Sequence, residues 1–458
     1  MSKAAKTVYE CTACGAQSPK WLGRCPGCGN WSTLEENRVA PRSNRAPARS
    51  GSGGVVPVAI ADVVADDAER FTTGIVELDR VLGGGVVRGG VTLLGGEPGI
   101  GKSTLLMQAV AGVAANGKRV LYVTGEESAA QVAMRARRLG VPDRLLLLAT
   151  TDVGDALNAL ASERYDMAVI DSIQTLRSSD LESAAGSVGQ LRDVAGRLTE
   201  YAKTQHVAMF VIGHVTKDGS LAGPKMLEHL VDTVLSFEGD ATYAFRIIRA
   251  TKNRFGPAQE LGVFEMASDG LREVADASSL FIAERPLRAS GSVVLPTTQG
   301  TRPLLVEVQA LVAPALYGAP RRVTTGLDAN RLAVLLAVLQ RRAAVQVLDQ
   351  DVFASVAGGV RIDEPAVDLA LSVAIVSSLR DRPVPAERAM FGEIGLTGEL
   401  RAVARPAVRI QEAKKLGFTH VVLPQANIAH LSKEERSELT LLGAKDLDQA
   451  LALAFGND

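Results

Sequence analysis

Hydrophobic positions fall in two successive textures along this 458-residue chain. From about Ala61 to Ala275, short apolar runs alternate with segments of helical period, the pattern of an α/β domain on a mostly parallel sheet. Strands are expected at Val91–Leu94, Arg119–Thr124, Leu145–Ala149, Met167–Ile170 and Val207–Ile212, with helices between them, one over Ser103–Asn116. Shorter β-rich segments follow at Thr233–Phe237, Phe245–Ala250 and Val263–Met266. From about Ser290 an α+β texture takes over. It has helices at Asp328–Arg342, with Leu332, Leu335, Leu336 and Leu339 on one face, and at Ala366–Arg380, and a strand at Val352–Ile362. Before both, the stretch Ala40–Gly54 is rich in Pro, Gly, Ser and Arg, the composition of a linker. The expected plan is a small N-terminal module at 1–35, a flexible linker at 36–60, an α/β domain at 61–275 and an α+β domain at 276–458.

Composition narrows the function classes. Formal net charge is −1, so contact with nucleic acid or a membrane surface has to be a local patch and not a coat. No apolar run approaches the roughly 20 residues that span a bilayer. The start Met1-Ser2-Lys3-Ala4-Ala5-Lys6 leads into cysteines and not into a signal-peptide core, so a cytoplasmic protein without a membrane partner is expected.

After the strand Val91–Leu94 comes Gly96-Glu97-Pro98-Gly99-Ile100-Gly101-Lys102-Ser103-Thr104, a full G-x-x-x-x-G-K-[ST] phosphate loop in its strand-to-helix setting. The glycines let successive N–H groups turn inward on an anion, and the helix N-terminus adds partial positive charge. Lys102 is expected at the β- and γ-phosphates of ATP, and the Ser103 hydroxyl on Mg²⁺. A plain glycine turn would have no use for the Lys-Ser pair.

All four cysteines lie in two knuckles, Cys11-x-x-Cys14 and Cys25-x-x-Cys28, ten residues apart. Four thiolates at this spacing suit tetrahedral Zn²⁺ in a compact ribbon, and a cytosolic chain disfavours the disulfide alternative. Such a closed site serves folding and contact, not catalysis. Trp21 and Trp31 bracket the second knuckle and are expected as ribbon core, with base stacking on DNA as the alternative.

Three expected strands end in polar residues, where open α/β sheets bind ligands. Gly125-Glu126-Glu127-Ser128 brings a carboxylate beside the loop to polarise water. Asp171 follows Ile170 as the expected Mg²⁺-shell carboxylate, and His214 follows Gly213, placed to sense the γ-phosphate. Each alone is ambiguous, since a strand-terminal Asp also caps helices and a lone His is often structural.

These motifs, with the approach segment Thr73–Gly85, resemble the RecA-type ATPases. Lys252-Asn253-Arg254-Phe255-Gly256 resembles the signature pentapeptide of the RadA (Sms) family of bacterial DNA-repair proteins, and with the four-cysteine ribbon the resemblance covers nearly the whole chain. It implies a DNA-stimulated ATPase that acts on single-stranded and branched DNA with the RecA recombinase, driving branch migration as a ring helicase. It also implies that Lys252 and Arg254 reach the γ-phosphate of a neighbouring subunit as charge-stabilising fingers, and it favours Glu126 over Glu127 as the catalytic carboxylate. Without it, a surface turn would be the plainer account of Lys252–Gly256. DNA contact is expected from Ser178–Gly189 and Thr216–Lys225, with Lys217 and Lys225 near phosphates.

The C-terminal half resembles the Lon protease proteolytic domain at Asp363–Ala366, at Phe391–Leu400, and from Lys414–Phe418 to Val421–Pro424. Where that pattern has its serine nucleophile this chain has Ala366, and where it has lysine, Ala407, with Arg409 the nearest cation. Alanine has no hydroxyl and arginine stays protonated, so the domain is expected to be proteolytically dead. The resemblance, since Lon domains form hexameric rings, then implies a use in assembly, as a homo-oligomer in a hexameric ring. Arg302, Arg321, Arg322, Arg341 and Arg342 could form a basic face, or be scattered solvated arginines. The rivals are an ATP-dependent protease and a ring-shaped nucleotide switch similar to clock ATPases.

Overall fold

The structure is a computed structural model that describes residues 6–11, 17–27, 29–39, 70–142, 144–214, 226–239, 245–315, 318–437 and 439–456. The Ala40–Gly54 linker, Cys14, Cys28, Lys217 and Lys225 lie outside the described residues. The chain divides into two compact units, Met1–Glu238 with Arg246–Glu273 and Gly239–Phe245 with Val274–Asp458.

In the ribbon, β1 (Lys6–Cys11) pairs antiparallel with β2 (Gln17–Ser18) and β3 (Leu34–Val39), setting Cys11 opposite Leu34. The buried cluster is Cys11, Cys25 and Leu34, with Tyr9 against it. The tryptophans are not its core, contrary to the sequence expectation: Trp21 is 57% and Trp31 72% exposed. Two sulfurs and a leucine already fill the centre of so small a module. Trp21 lies across its edge, Nε1 donating to the Leu34 carbonyl at 3.1 Å.

The next part of this unit is a nine-stranded sheet. Its strands are β4 (Val91–Gly96), β5 (Val120–Thr124), β6 (Leu146–Ala149), β7 (Met167–Asp171), β8 (Ala208–His214), β9 (Thr233–Glu238), β10 (Phe245–Asn253), β11 (Leu261–Ala267) and β12 (Gly270–Glu273). The order is β12-β11-β10-β9-β4-β8-β7-β5-β6, parallel from β9 through β6. Side chains alternate between faces, and both faces are covered, so the central strands read as unbroken apolar runs. Leu94, Tyr122, Val169 and Phe210 pack against Leu106, Met107 and Val110 of α1 (Lys102–Ala115). Leu93, Val123, Ile170 and Met209 pack on the other face against Val194 and Leu198 of α4 (Val188–Gln205). Between them in the chain lie α2 (Ala129–Arg138) and α3 (Val153–Ser162).

One expected boundary moves with consequence. β10 continues past Ala250 because Lys252 and Asn253 pair with Val234 and Thr233 beyond a bulge at Thr251, so Lys252 sits on a strand and not in a turn.

The second unit carries a mixed sheet of β13 (Ser292–Gln299), β14 (Arg302–Pro314), β15 (Arg322–Thr325), β16 (Gln350–Val356), β17 (Arg388–Met390), β18 (His420–Pro424) and β19 (Thr440–Ala444), ordered β15-β16-β14-β13-β17-β18-β19. Helix α5 (Ala329–Arg342) starts at an Asp328 cap that accepts from the Arg331 N–H. Helix α6 (Val367–Leu379) is mostly apolar and is buried from Val367 to Ser377, Asp368 and two serines included. Helices α7 (Pro406–Lys415) and α8 (Leu447–Phe455) complete the set used below. The expected strand Val352–Ile362 ends at Val356, where a 3₁₀ turn over Ala357–Gly359 holds Gly358 at φ 77°. The arginine face does not form as a set, because Arg302 is buried and Arg321 and Arg322 are spent on local acceptors, Asp351 and the Leu348 and Gln350 carbonyls.

Gly112 of α1 faces the Thr73 carbonyl so closely that a Cβ would lie 2.0 Å from its oxygen. Gly112→Ala would gain about 1 kcal/mol of helix propensity, against overpacking that costs about 1–3 kcal/mol and more for a contact this short. The expected outcome is a net loss of stability, read as a lower urea midpoint, and an unchanged or raised midpoint would refute this packing.

Candidate active site

The phosphate loop runs from Gly96, the last residue of β4, into α1. Gly101 is the N-cap of α1 at φ 117°, a conformation open to glycine, and a Cβ there would also meet Met266 Cε at 2.9 Å. Ile100 is buried and anchors the loop, while Glu97, Pro98 and Gly99 are exposed. Lys102 Nζ donates to the Gly96 and Glu97 carbonyls, at 2.7 Å each, which ties the ammonium to the mouth of the loop. Burial lowers the Lys102 pKa, opposed by the charges of Asp171, Glu126 and Glu97. Ser103 and Thr104 open the helix beside it.

Parallel register delivers the other groups to the same edge. Gly96 pairs with His214 and Thr124 with Asp171, so the carboxyl ends of β4, β8, β7 and β5 lie together. The Gly125 N–H donates to the Asp171 carbonyl at 2.8 Å and carries the chain from β5 across β7. Glu126 Oε1 there accepts from the Ser172 hydroxyl and lies 2.9 Å from His214 Nε2. Burial pushes the Glu126 carboxyl up, but the Ser172 and His214 hydrogen bonds and the His214 and Lys102 charges hold it below its ordinary value. Glu127 is bound instead to Arg135, so the two neighbouring glutamates are sorted by partner.

Asp171 is buried and accepts from the Tyr122 hydroxyl at 2.6 Å and from Ser103. Burial raises its pKa, and those hydrogen bonds only partly offset the shift. A buried carboxylate facing a serine hydroxyl, with no lysine or arginine bonded to it among the described residues, is a hard-oxygen donor set that fits Mg²⁺. Neither Ser172, part of the Asp171-Ser172 motif, nor Tyr122 is given a role by the sequence. The available signals were a hydroxyl directly after the strand-terminal Asp171 and a tyrosine inside an otherwise apolar buried strand.

Lys252 and Arg254 lie elsewhere. Lys252 Nζ donates to the Glu228 and Val231 carbonyls at 2.5 and 2.7 Å, and Arg254 Nη1 to Asp232 at 3.1 Å. Asp232 in turn accepts from the Val91 N–H at the start of β4, the end opposite the loop.

In the ribbon, Cys11 and Cys25 share one buried cluster, and the Gly27 N–H points at Cys25 Sγ from 3.3 Å. An amide aimed at sulfur inside a knuckle favours thiolate, the form in which cysteine binds zinc. In the second unit, Ala366 is buried with its carbonyl accepting from the Gly392 N–H at 2.9 Å. Nearby Arg409, 1% exposed, makes a two-pronged pair with Glu364 at 2.8 and 2.6 Å and donates further to the Ala404 and Pro296 carbonyls and Thr298 Oγ1. Burial pushes Glu364 up, but Arg409 and the Thr297 hydroxyl hold it below its ordinary value.

Comparison with known proteins agrees with this layout. Residues 57–220 match the family model of the AAA domain, 9–36 that of the rubredoxin metal binding domain, and 339–457 that of the Lon protease (S16) C-terminal proteolytic domain. The chain is 48% identical to the DNA repair protein RadA of Escherichia coli (strain K12), over 99% of both chains. It is 46% identical to that of Bacillus subtilis (strain 168), over 98% of this chain and 99% of the relative, and 50% identical to that of Aquifex aeolicus (strain VF5), over 92% and 94%.

Because the folded Asp171 pKa is raised, its ionised form destabilises the fold, and stability is lost as pH rises from the unfolded toward the folded value. Asp171→Asn should therefore raise the nucleotide-free melting temperature at neutral pH, on the order of 2–4 °C if the relief is about 1 kcal/mol. Thermal scans check it, and a lowered melting temperature would contradict the burial argument.

Proposed function

Since the chain belongs to the RadA family of DNA repair proteins, we propose that its ATPase domain is a DNA-stimulated motor that promotes branch migration alongside the RecA recombinase, working as a hexameric ring helicase on single-stranded DNA. The observation that carries the hydrolytic part is the carboxylate of Glu126, steadied by Ser172 and His214 at the strand edge that also carries Lys102. In this reading Glu126 takes a proton from water, kept ionised at neutral pH by its partners. Residues Gly96 to Thr104 wrap the phosphates, with Lys102 exchanging its two loop carbonyls for phosphate oxygens. Asp171 and Ser103 hold Mg²⁺, which neutralises developing charge on the phosphates when bound. His214 couples Glu126 to the γ-phosphate position. Cys11, Cys14, Cys25 and Cys28 hold Zn²⁺ as a folding element.

The shared-site reading of Lys252 and Arg254 draws support from register. Lys252 lies level with Val234, which pairs with Leu93, three residues before Gly96 or about 10 Å along β4. It is therefore set toward the wrong end of the sheet for its own phosphates, as a finger offered to a neighbour would be. Lys217 and Lys225 remain the proposed DNA contacts. With Ala366 in the serine position and Arg409 locked to Glu364, a protease reading has neither nucleophile nor base.

Two outcomes are expected. Ser172→Ala removes a donor that lowers the Glu126 pKa, so the acid limb of the pH–turnover profile, where the base is lost by protonation, should move to higher pH. An unmoved limb would separate Ser172 from the base. Lys252→Ala should cut DNA-stimulated turnover by about 100-fold or more, the scale of a charge-stabilising finger, with binding of a fluorescent ATP analogue kept. Loss of binding as well would reject the role in trans.

A further inference from the structure

The two tryptophans of the ribbon are the only two in the chain, and both stand in solvent. Aromatic side chains are among the first that a small fold buries, so two exposed indoles side by side mark a contact surface. The rings flank Gly23. A Cβ built there would lie 3.7 Å from the Trp31 ring and 3.9 Å from that of Trp21, so the bare glycine keeps both rings close with no side chain between them. Each ring is braced from one side. Trp21 Nε1 donates to the Leu34 carbonyl, and the Arg24 guanidinium, itself bonded to the Gly29 carbonyl at 2.8 Å, stands 6.0 Å from the Trp31 centroid. Arg24 and Trp31 also face each other across an isolated antiparallel bridge. Exposed Lys20 adds a second cation, and from Gln17 to Leu34 the sequence holds no aspartate or glutamate.

We propose that Trp21 and Trp31, with Lys20 and Arg24, form a stacking platform for unpaired bases of single-stranded nucleic acid. Rings braced from behind, cations beside them and no acidic residue between match the recognition of single strands, where bases stack on aromatics and phosphates take the charge. A protein partner would need the aromatic faces but not the two cations beside them. The proposal rests on the DNA-repair reading for its choice of polymer and goes beyond it in giving the ribbon, and not only the channel loops, a hold on the strand.

Because no other tryptophan is present, indole emission of the full-length, zinc-loaded protein reports this surface alone. Titration with fluorescently labelled oligothymidylate should quench that emission saturably, with the same midpoint as the anisotropy of the label. Duplex of equal length, its bases already stacked, should quench far less. Trp31→Ala should weaken single-strand binding by about tenfold, the scale of one base–aromatic stack, with zinc content unchanged, and Trp31→Phe should restore most of it. Binding by anisotropy with emission unmoved would overturn the platform and leave the DNA reading standing. Silence in both signals would overturn both, with a protein as the patch's occupant. Equal quenching by duplex would overturn stacking.

Discussion

Parallel register is the constraint on which the nucleotide site depends. Strands that pair in parallel end at the same edge, and the pairings Gly96 with His214 and Thr124 with Asp171 fix which residues meet there. Each group comes from a different part of the chain, yet none needs its own loop architecture to find the others. The loop supplies backbone N–H groups and Lys102, β5 delivers Glu126, β7 delivers Asp171 and Ser172, and β8 delivers His214. The burial of both sheet faces, which makes the strands unbroken apolar runs, is what makes that register rigid. Packing and chemistry are thus one problem here: slipping a central strand by one residue would turn its buried face over and misplace the polar tip together.

The second unit, whose residues 339–457 match the Lon protease (S16) C-terminal proteolytic domain, is tied together by buried ion pairs. Ala366 begins α6 under a roof formed by Gly392, and Arg409 reaches Glu364 with every guanidinium nitrogen bonded. A buried ion pair of this kind adds little net stability over an apolar pair, but removal of either partner strands a charge, which fixes the geometry strongly. Asp368 repeats the device. It is buried, joined to Arg331 from α5 and accepts from the Ile394 N–H at 3.0 Å, so α5, α6 and the segment after β17 are held in one arrangement.

Much of this was legible in the residues because the relevant rules are local. A phosphate loop needs glycines and Lys-Ser at fixed spacing, and the central strands needed only their apolar runs. The failures came where distant contacts decide. Trp21 and Trp31 read as core because aromatics usually are, and nothing local says that Cys11, Cys25 and Leu34 fill the interior first. The residues alone end the strand at Ala250 and make a turn the plainer account of Lys252–Gly256, because Asn253 and Gly256 suit one, whereas pairing with β9 across a bulge keeps Lys252 in the strand. The choice between Glu126 and Glu127 could not be made from two adjacent glutamates. Their difference in partner comes from Arg135, eight positions on from Glu127 and nearly two turns into the next helix, which takes Glu127 and leaves Glu126 to Ser172 and His214.

The two acidic groups at the sheet edge differ in the direction burial leaves them, and that difference suggests an order of events. Asp171 is pushed toward its neutral form and has only hydroxyl donors to resist, so it holds its charge at a cost that a cation would relieve. Glu126 has a hydroxyl, an imidazole and the Lys102 charge in its favour, so it is ionised before any ligand arrives. On the proposed roles, a bound metal nucleotide would therefore change Asp171 the more, by giving its carboxylate a cation to face, while Glu126 would already be ionised as a base. The same arrival would draw Lys102 from the Gly96 and Glu97 carbonyls toward phosphate, weakening one of the influences that keep Glu126 acidic and raising its basicity as substrate seats. On those roles, Lys102 would be one link between nucleotide binding and the basicity of Glu126, beside the Ser172 and His214 hydrogen bonds that also hold its carboxyl down.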